Sequence, residues 1–231
     1  MSNLNIINDL IPAGRRNRPA KANPMKFITI HETGNTSRGA NAKAHASYLR
    51  GDAAAGIPIS WHYTVDDGEI RQHLPENETA FHAGDGANGV GNSQSIGIEI
   101  CVNSDGDFAK AVNQTIALVA DICYRRNIAP ENIAQHNRWN GKNCPQNLRA
   151  GRPFSWNEFV NRIRAVLETL KAANSKPVSP NSPTVSANPP ASGKTTFRVV
   201  AGSFANRANA EAQVRRLKSS GFDSFIVEHK I

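Results

Sequence analysis

The heptapeptide Ile96-Gly97-Ile98-Glu99-Ile100-Cys101-Val102 predicts a β-strand with clean alternation of its side chains. Its isoleucines and its valine occupy every second position, so they share one face of the strand. Glu99 falls on the other face, beside Gly97 and Cys101. A carboxylate in so apolar a strand is costly unless it has a partner or a cavity, and Gly97 leaves space next to it. Glu99 is therefore either a salt-bridged residue or a functional one.

A second strand is predicted at residues 26–30, which are mostly β-branched and aromatic. It ends at His31, so we expect the sheet to hold that imidazole in place. A hairpin is predicted further along, where Asp66-Asp67-Gly68 separates strand-like residues 61–65 from residues 69–74. Asp-Gly tolerates the positive φ that tight hairpin turns require. This hairpin would place His62 and His73 on paired strands.

Apolar residues at helical spacing predict helices at 41–50, 109–126 and 156–173. Ser155 is expected to be the N-cap of the last helix. His45, in the first helix, is interpreted as a packed or hydrogen-bonded residue. We expect the N-terminal segment 5–10 to be a short helix or an extended lead-in.

A loop rich in Asn and Gly holds His136 and Cys144, eight residues apart, and is expected to be irregular. An imidazole and a thiolate are good ligands for zinc, but two ligands from one loop need at least a third from elsewhere. The best candidate is His31. Taken singly, each residue would more often be a structural histidine or a buried free thiol.

The segment from Gly84 to Gly89 fits the G-x-G-x-x-G pattern of dinucleotide-binding loops. That fingerprint requires a strand before it and a helix opening on its last glycine. Residues 90–93 are expected to lead straight into the next strand, so the nucleotide interpretation is rejected. The glycines are interpreted instead as the rim of a groove.

The composition and the N-terminal residues indicate which class of partner the chain binds and in which compartment it is made. The 231 residues carry a formal net charge of +8, which favours an anionic partner such as nucleic acid, an acidic membrane or a wall polymer. No run of eighteen apolar residues predicts a membrane span. The first residues lack a basic and an apolar signal region, so we expect synthesis in a cytoplasm, with Cys101, Cys123 and Cys144 as thiols.

Five motifs together resemble the type 2 N-acetylmuramoyl-L-alanine amidases, over about residues 1–172. They are Thr29-Ile30-His31-Glu32-Thr33, Ser60-Trp61-His62-Tyr63, Phe81-His82-Ala83-Gly84, Ile96-Gly97-Ile98-Glu99 and His136 to Pro145. That family includes bacterial autolysins, phage endolysins and the related peptidoglycan-recognition proteins. Its zinc enzymes cut the amide between the lactyl group of muramic acid and the first L-alanine of the stem peptide.

The resemblance implies an α/β fold with a mixed central β-sheet flanked by helices. It implies one Zn²⁺ per chain, held by His31, His136 and Cys144. Glu99 would be the general base towards a water that the metal activates, and Lys142 would stabilise the developing oxyanion. Peptidoglycan would be the substrate, with anionic wall polymers as possible further partners and no nucleic acid.

Four further residues are predicted to contact substrate through the resemblance: His82, Trp61, Tyr63 and Trp139. Packing is the alternative for each of them. His62 is next to the expected groove, but the direction of its side chain is left open. His73 is interpreted as a histidine on the surface or on a sheet face.

The C-terminal part divides into a linker and a small module. Residues 174–194 contain five of the thirteen prolines and no acidic residue, which predicts a semi-extended linker after a catalytic domain at 1–173. Residues 195–231 predict a β-α-β unit, with a helix at 209–220 between strands at 196–204 and 222–227. This unit resembles the sporulation-related (SPOR) peptidoglycan-binding repeat through these residues: Arg198-Val199, Gly202-Ser203-Phe204, Asn209-Ala210-Glu211-Ala212 and Leu217-Lys218.

Such modules usually contain two of these units, and only one is predicted here. About 36 residues are few for an independent core. We therefore expect the tail either to pair with the tail of a second chain, as a dimer, or to stay loosely ordered.

Several functions fit these observations. The first is a zinc amidase acting at the cell wall, in particular a phage endolysin, with a bacterial or prophage autolysin of the same activity as the alternative. The second is a peptidoglycan-recognition protein without hydrolysis, against which the retention of Glu99 and Lys142 argues. The third is a cysteine hydrolase with Cys144 as nucleophile and His136 as base.

Overall fold

The computed structural model describes residues 4–175 and, beyond them, residues 207, 210, 211, 213, 214 and 226. The chain divides into two compact units, Met1–Ser179 and Pro180–Ile231. In the second unit, Arg207 is helical together with residues 210, 211, 213 and 214, while Ile226 has no regular structure, although a strand was predicted there. The rest of the predicted β-α-β unit and residues 176–194 of the predicted linker lie outside the described residues.

The first unit contains a six-stranded sheet and its flanking helices. The strands are β1 (Ile6–Asn8), β2 (Phe27–Glu32), β3 (Tyr63–Val65), β4 (Ile70–Gln72), β5 (Ser95–Ile100) and β6 (Ile133–Gln135). The helices are α1 (Ala42–Arg50), α2 (Asp52–Ala55), α3 (Val90–Gln94), α4 (Phe108–Arg126), α5 (Asn137–Asn140), α6 (Gln146–Arg149) and α7 (Trp156–Ser175), with a 3₁₀ turn at Pro130–Asn132. Within the described residues, no helix combines the length and the apolar character needed to cross a membrane.

The sheet is mixed, with strand order β1-β4-β3-β5-β2-β6. Only β3 and β4 are antiparallel, and they form the predicted hairpin. Asp66 stabilises its turn, because Oδ1 accepts hydrogen bonds from the backbone N–H groups of Gly68 and Glu69, both at 2.7 Å. The predicted mixed α/β fold is therefore confirmed, and the N-terminal segment is an extended strand rather than a helix.

The two faces of the sheet differ in character. On one face, the isoleucines of β2 and β5 pack with apolar residues of α4 and α7 in one continuous core. The other face carries Thr29 and His31 of β2 beside Gly97 and Glu99 of β5, which are their partners in register. Because side chains alternate along each strand, the apolar positions form the core and the polar positions gather on the opposite side.

Two long helices cover the core, and their ends follow local rules. Asp107 caps α4 by accepting a hydrogen bond from the N–H of Lys110 at 3.0 Å, and Asn127 ends it in the left-handed region at φ 53°. The N-cap predicted at Ser155 is confirmed, since its Oγ accepts from the N–H of Glu158 at 3.2 Å. Helix α7 extends through Ser175, two residues into the predicted linker.

Helices α3 and α5 lie in segments for which the sequence predicts no helix: residues 90–93, expected to lead straight into a strand, and the loop of His136 and Cys144, expected to be irregular. Helix α3 stands directly before β5, because the Asp85 carboxylate accepts hydrogen bonds from the N–H groups of Gly91 and Asn92 at 2.6 and 3.2 Å. The dinucleotide interpretation still fails, since no strand lies between Gln72 and Ser95. Helix α5 lies inside the loop from His136 to Cys144 and ends at Gly141, whose φ is 79°.

Candidate metal centre and active site

His31, His136 and Cys144 come together at one end of β2. Their potential ligand atoms all lie within 4.8 Å of one another. Among the described residues, these three form the group of His, Cys, Asp or Glu side chains that is close enough together to hold a metal ion. His31 Nδ1 is 2.9 Å from His136 Nδ1 and 4.0 Å from Cys144 Sγ. All three residues are buried.

Neighbouring strands bring two of these residues together. Strand β6 lies beside β2 in the sheet, and the N–H of His136 donates to the carbonyl of Ile30 at 3.2 Å. Helix α5 and the residues after it then reverse the chain, so that Cys144 lies next to His136. The N–H of Asn137 donates to the carbonyl of Cys144 at 3.0 Å. Two residues 105 positions apart in sequence thus become neighbours.

The chemistry of these side chains fits a zinc ion. Burial, followed by the nearby His82 and His136 rings, lowers the pKa of His31 well below its usual range, so this imidazole is neutral, as a ligand must be. Burial and the nearby Glu99 carboxylate raise the pKa of the Cys144 thiol to about 12. A thiolate at this position therefore needs a cation beside it, and two imidazoles with one thiolate suit zinc.

Glu32 fastens the cysteine loop to the sheet. Its backbone N–H donates to Cys144 Sγ at 3.4 Å. Its buried carboxylate accepts hydrogen bonds from the N–H of Asn147 at 2.9 Å, from Asn147 Nδ2 at 2.9 Å and from the N–H of Leu148 at 3.1 Å. One residue next to His31 therefore holds both the sulfur and the helical turn that follows it.

In the sequence, Glu32 stands out only as part of the motif Thr29-Ile30-His31-Glu32-Thr33. The available signal was a carboxylate one residue from a candidate ligand, at the end of a buried strand. Its partners Asn147 and Leu148 are more than a hundred residues away in the sequence, so no local sequence pattern predicts these contacts.

Glu99 lies beside the cluster, with Oε1 3.9 Å from His31 Nδ1. Burial raises the pKa of Glu99 to about 8, although the ammonium group of Lys142 opposes that shift. Its Oε2 is buried and has no hydrogen-bond partner in the part of the chain that the structure describes. A carboxyl group that titrates near neutral pH can both accept and return a proton there.

Lys142 is exposed, but its charge acts on the cluster. The ammonium group lowers the pKa values of His31, His136, Glu99 and Cys144, so it is within electrostatic range of each of them. The N–H of Lys142 donates to Asn140 Oδ1 at 3.0 Å, which orders the backbone that carries the side chain. Lys142 is therefore an exposed cation that acts electrostatically on each member of the cluster.

His82 contacts a predicted ligand rather than an open groove. Its Nδ1 is 2.9 Å from His31 Nε2, and its ring covers Gly97, where an added Cβ would be 2.7 Å from ring atoms. The space that Gly97 leaves is therefore filled by the imidazole of His82. Trp139 is half-buried, donates from Nε1 to Thr29 Oγ1 at 2.9 Å and packs edge-on against Phe27.

Tyr63, which was predicted to contact substrate, lies on the face of the sheet opposite the cluster. Tyr63 pairs with Ile98 in register, so its side chain lies on the core face of the sheet, opposite Glu99. Its hydroxyl donates to Glu76 Oε1 at 2.7 Å inside that core. The sequence shows the strand but not which face a particular side chain occupies.

Trp61 and His62 are also enclosed. Trp61 is 7% exposed and donates from Nε1 to Thr64 Oγ1 at 2.7 Å, which leaves little surface for a substrate. His62 is fully buried, with Nδ1 accepting from the N–H of Gly97 at 2.9 Å and Nε2 donating to the carbonyl of Glu78 at 2.8 Å. His73 is buried against Thr64, so it lies on a sheet face and not on the surface.

Two family models match this chain. The model described as N-acetylmuramoyl-L-alanine amidase (Amidase_2) matches residues 21–147, which include the whole cluster and Glu99. The SPOR domain model matches residues 162–228. The second match begins inside α7, earlier than the module that we predicted at residues 195–231.

Two similar proteins are named N-acetylmuramoyl-L-alanine amidases. XlyA of Bacillus subtilis (strain 168), an N-acetylmuramoyl-L-alanine amidase, is 52% identical over 145 residues, which are 63% of this chain and 48% of XlyA. CwlH of the same organism, also an N-acetylmuramoyl-L-alanine amidase, is 45% identical over 67% of this chain and 59% of CwlH. This chain thus spans only about half the length of these relatives.

Among solved structures, the catalytic domain of XlyA is 48% identical and aligns over 69% of this chain and 99% of that domain, with a TM-score of 0.64. PlyL is 28% identical and aligns over 69% of this chain and 97% of its own, with a TM-score of 0.61. The fold of the first unit is therefore that of these proteins.

Proposed function

Because this chain belongs to the N-acetylmuramoyl-L-alanine amidase family, we propose that it hydrolyses the amide between the lactyl group of N-acetylmuramic acid and the L-alanine of the stem peptide. The observation that carries the proposal is the position of Glu99. Its carboxyl group is largely enclosed: Oε2 is buried without a partner among the described residues, and Oε1 lies 3.9 Å from His31, beside a cluster of two imidazoles and a thiol. Such an arrangement suits metal-assisted hydrolysis of an amide.

We propose that His31, His136 and Cys144 hold one zinc ion. When bound, the ion supplies Lewis acidity, which polarises a carbonyl group and makes water more acidic. The donor set supports this choice, because it combines two nitrogen atoms with one sulfur atom in a buried site.

Glu99 has the proton-transfer role in this proposal. Burial raises the pKa of Glu99 to about 8 without a metal ion, and a zinc ion beside it would lower that value towards neutral. The carboxylate would then take a proton from the attacking water, and the carboxylic acid would return it to the departing alanine nitrogen. Lys142, an exposed cation that acts on the cluster, would stabilise negative charge that develops on the lactyl carbonyl oxygen. Trp139, which is half-buried beside the cluster, remains a proposed contact for substrate.

For the biological role, we propose a phage endolysin that degrades the host cell wall. A solved structure named as a mutant endolysin from Bacillus subtilis is 48% identical to this chain, which supports this role. A bacterial or prophage autolysin would perform the same reaction and remains the alternative. The SPOR match supports peptidoglycan as the ligand of the C-terminal part, with anionic wall polymers as a further partner for a chain of net charge +8. Nothing in the described residues supports pairing of two tails, and the proposal does not include it.

Analysis of the cleavage products tests the activity. Purified peptidoglycan treated with the full chain should release new N-terminal alanine amino groups without new reducing sugar ends. Release of reducing ends, or of amino groups from other residues, would assign a different bond. A chain that binds peptidoglycan but releases neither product would be a recognition protein.

A further inference from the structure

A line of hydrogen bonds connects His31 to the backbone of α3. Ser95 Oγ is 2.6 Å from the carbonyl oxygen of Gly91 and 3.4 Å from His82 Nε2, and His82 Nδ1 is 2.9 Å from His31 Nε2. None of the chemical steps proposed above uses Ser95 or His82. Their order along the line nevertheless determines where each proton lies.

The carbonyl group of Gly91 determines which atom donates in each of these hydrogen bonds. A backbone carbonyl can only accept, so the Ser95 hydroxyl must donate its single proton to it. Ser95 Oγ then has only lone pairs left for its other neighbours. One neighbour is Thr29 Oγ1, at 2.8 Å. Thr29 Oγ1 accepts the N–H of Trp139 at 2.9 Å through a lone pair, so its own proton remains available for Ser95 Oγ.

The remaining neighbour of Ser95 is His82 Nε2, which must therefore be the nitrogen that carries the proton. A neutral imidazole has one proton, so His82 Nδ1 is an acceptor. The proton between the two rings then belongs to His31 Nε2. The lone pair of His31 is left on Nδ1, the atom that faces both His136 and Cys144.

We propose that Ser95 and His82 are positioning residues that fix the tautomer of His31, so that Nδ1 is free to bind a metal ion. The proposal rests on the proposed function only in taking His31 as a zinc ligand. A hydrogen-bonded partner on the second nitrogen is a common way to orient a histidine ligand. It also gives His82 a role other than substrate contact, because both of its ring nitrogens are already occupied.

Gly97 keeps the His82 ring in this position. An added Cβ at Gly97 would lie 2.7 Å from two ring carbons of His82. The backbone there is itself held by His62, whose Nδ1 accepts the N–H of Gly97 at 2.9 Å. The rings of His31 and His82 stand at 90° to each other, with His31 Nε2 2.9 Å from His82 Nδ1.

Nitrogen NMR of the metal-free full chain tests the proposal directly. Long-range proton–nitrogen correlations distinguish a protonated ring nitrogen from an unprotonated one. We expect the Nε2–H tautomer for both His31 and His82. The Nδ1–H tautomer at either residue would overturn the proposal, and this result needs no variant to fold.

A pair of serine variants tests the origin of the effect. Ser95→Ala removes the hydroxyl acceptor of His82 Nε2 and leaves only the backbone of Ser95 as an acceptor for this ring. The Nδ1–H tautomer of His82 should therefore become populated, and zinc affinity should fall about 10-fold. Ser93→Ala is the matched control, because Ser93 Oγ is in the same segment but contacts only the carbonyl of Asn88, at 3.4 Å, among the bonds described. An unchanged His82 tautomer in folded Ser95→Ala would overturn the role of Ser95.

The test also separates this proposal from the proposed function. If the wild-type tautomers are as expected but the chain binds no zinc, the metal assignment fails while the hydrogen-bond line stands. If zinc binds and the amide is cut but His31 is the Nδ1–H tautomer in the metal-free chain, the tautomer proposal fails and the activity stands.

Discussion

Glu99 and His31 are partners in register on two adjacent parallel strands, with Glu99 Oε1 3.9 Å from His31 Nδ1. Because both residues belong to interior strands of one sheet, their backbone positions cannot move without disturbing the ladder between β2 and β5. The points from which a proposed ligand and a proposed base extend are therefore held at a fixed separation by backbone hydrogen bonds. Sites built on strands are more precise than sites built on loops.

Replacing Glu32 should loosen the cysteine loop. In Glu32→Gln, an amide NH₂ group replaces one of the oxygens that now accept hydrogen bonds from Asn147 and Leu148. We expect zinc affinity to fall about 10- to 100-fold, as for other groups that orient metal ligands. Competition with a chromophoric chelator measures this affinity. Glu131→Gln, at an exposed glutamate paired with Arg164, is the matched control and should bind zinc like the wild type.

Adding a methyl group at Gly97 should displace His82. An alanine Cβ there would lie 2.7 Å from the imidazole, so Gly97→Ala should lower the free energy of unfolding by about 1–3 kcal/mol through overpacking. Zinc affinity should fall as well, because His82 contacts His31. Denaturant unfolding and zinc titration check both effects. Gly56→Ala has no atom within 4 Å of its added Cβ and should show neither.

Glu76 should make stability depend on pH in acid. Burial alone would raise its pKa, but hydrogen bonds from Arg125 and Tyr63 outweigh burial and lower it from 4.5 to about 2. A carboxyl group with a lowered pKa in the folded state contributes its full stability above pH 4.5 and loses it as the pH falls towards 2. Urea unfolding between these pH values should therefore show a steeper loss of stability in the wild type than in Glu76→Gln. Equal slopes would show that this interaction does not stabilise the folded state.

Chelation and alkylation should act differently on the enzyme. Removal of zinc by a chelator should abolish amide cleavage, and added zinc should restore it. A bulky thiol reagent should react slowly with the native chain, because Cys144 is 4% exposed and the other two cysteines are also buried. Activity that survives chelation but is lost on rapid alkylation would identify a cysteine hydrolase instead.

Much of this fold could be predicted from local patterns. Alternation predicted β5, turn chemistry predicted the hairpin at Asp66, and helical spacing with the Ser155 cap predicted α7. The three cluster residues could be proposed because a histidine at a strand end and a histidine and a cysteine in one loop are a recognisable ligand set. These features depend on short-range chemistry that the sequence displays directly.

The remaining features depend on contacts between distant segments. Tyr63 could not be placed, because its three-residue strand gives no reliable sign of which face is buried. The short helix α3 depends on the Asp85 carboxylate folding back onto the N–H groups of Gly91 and Asn92. The partner of His82 is 51 residues away, so no sequence pattern could show that its nitrogens are already occupied.

The most direct measurement compares the wild type with Glu99→Gln, for zinc content and for release of alanine amino groups from peptidoglycan. Glutamine keeps the size of the side chain but cannot accept the proton. We expect about one zinc per chain in both proteins and amide cleavage at least about 100-fold slower in the variant, the lower range for loss of a general base. Undiminished cleavage by zinc-loaded Glu99→Gln would contradict the role of Glu99, and a wild type without zinc that still cuts the amide would contradict the metal centre.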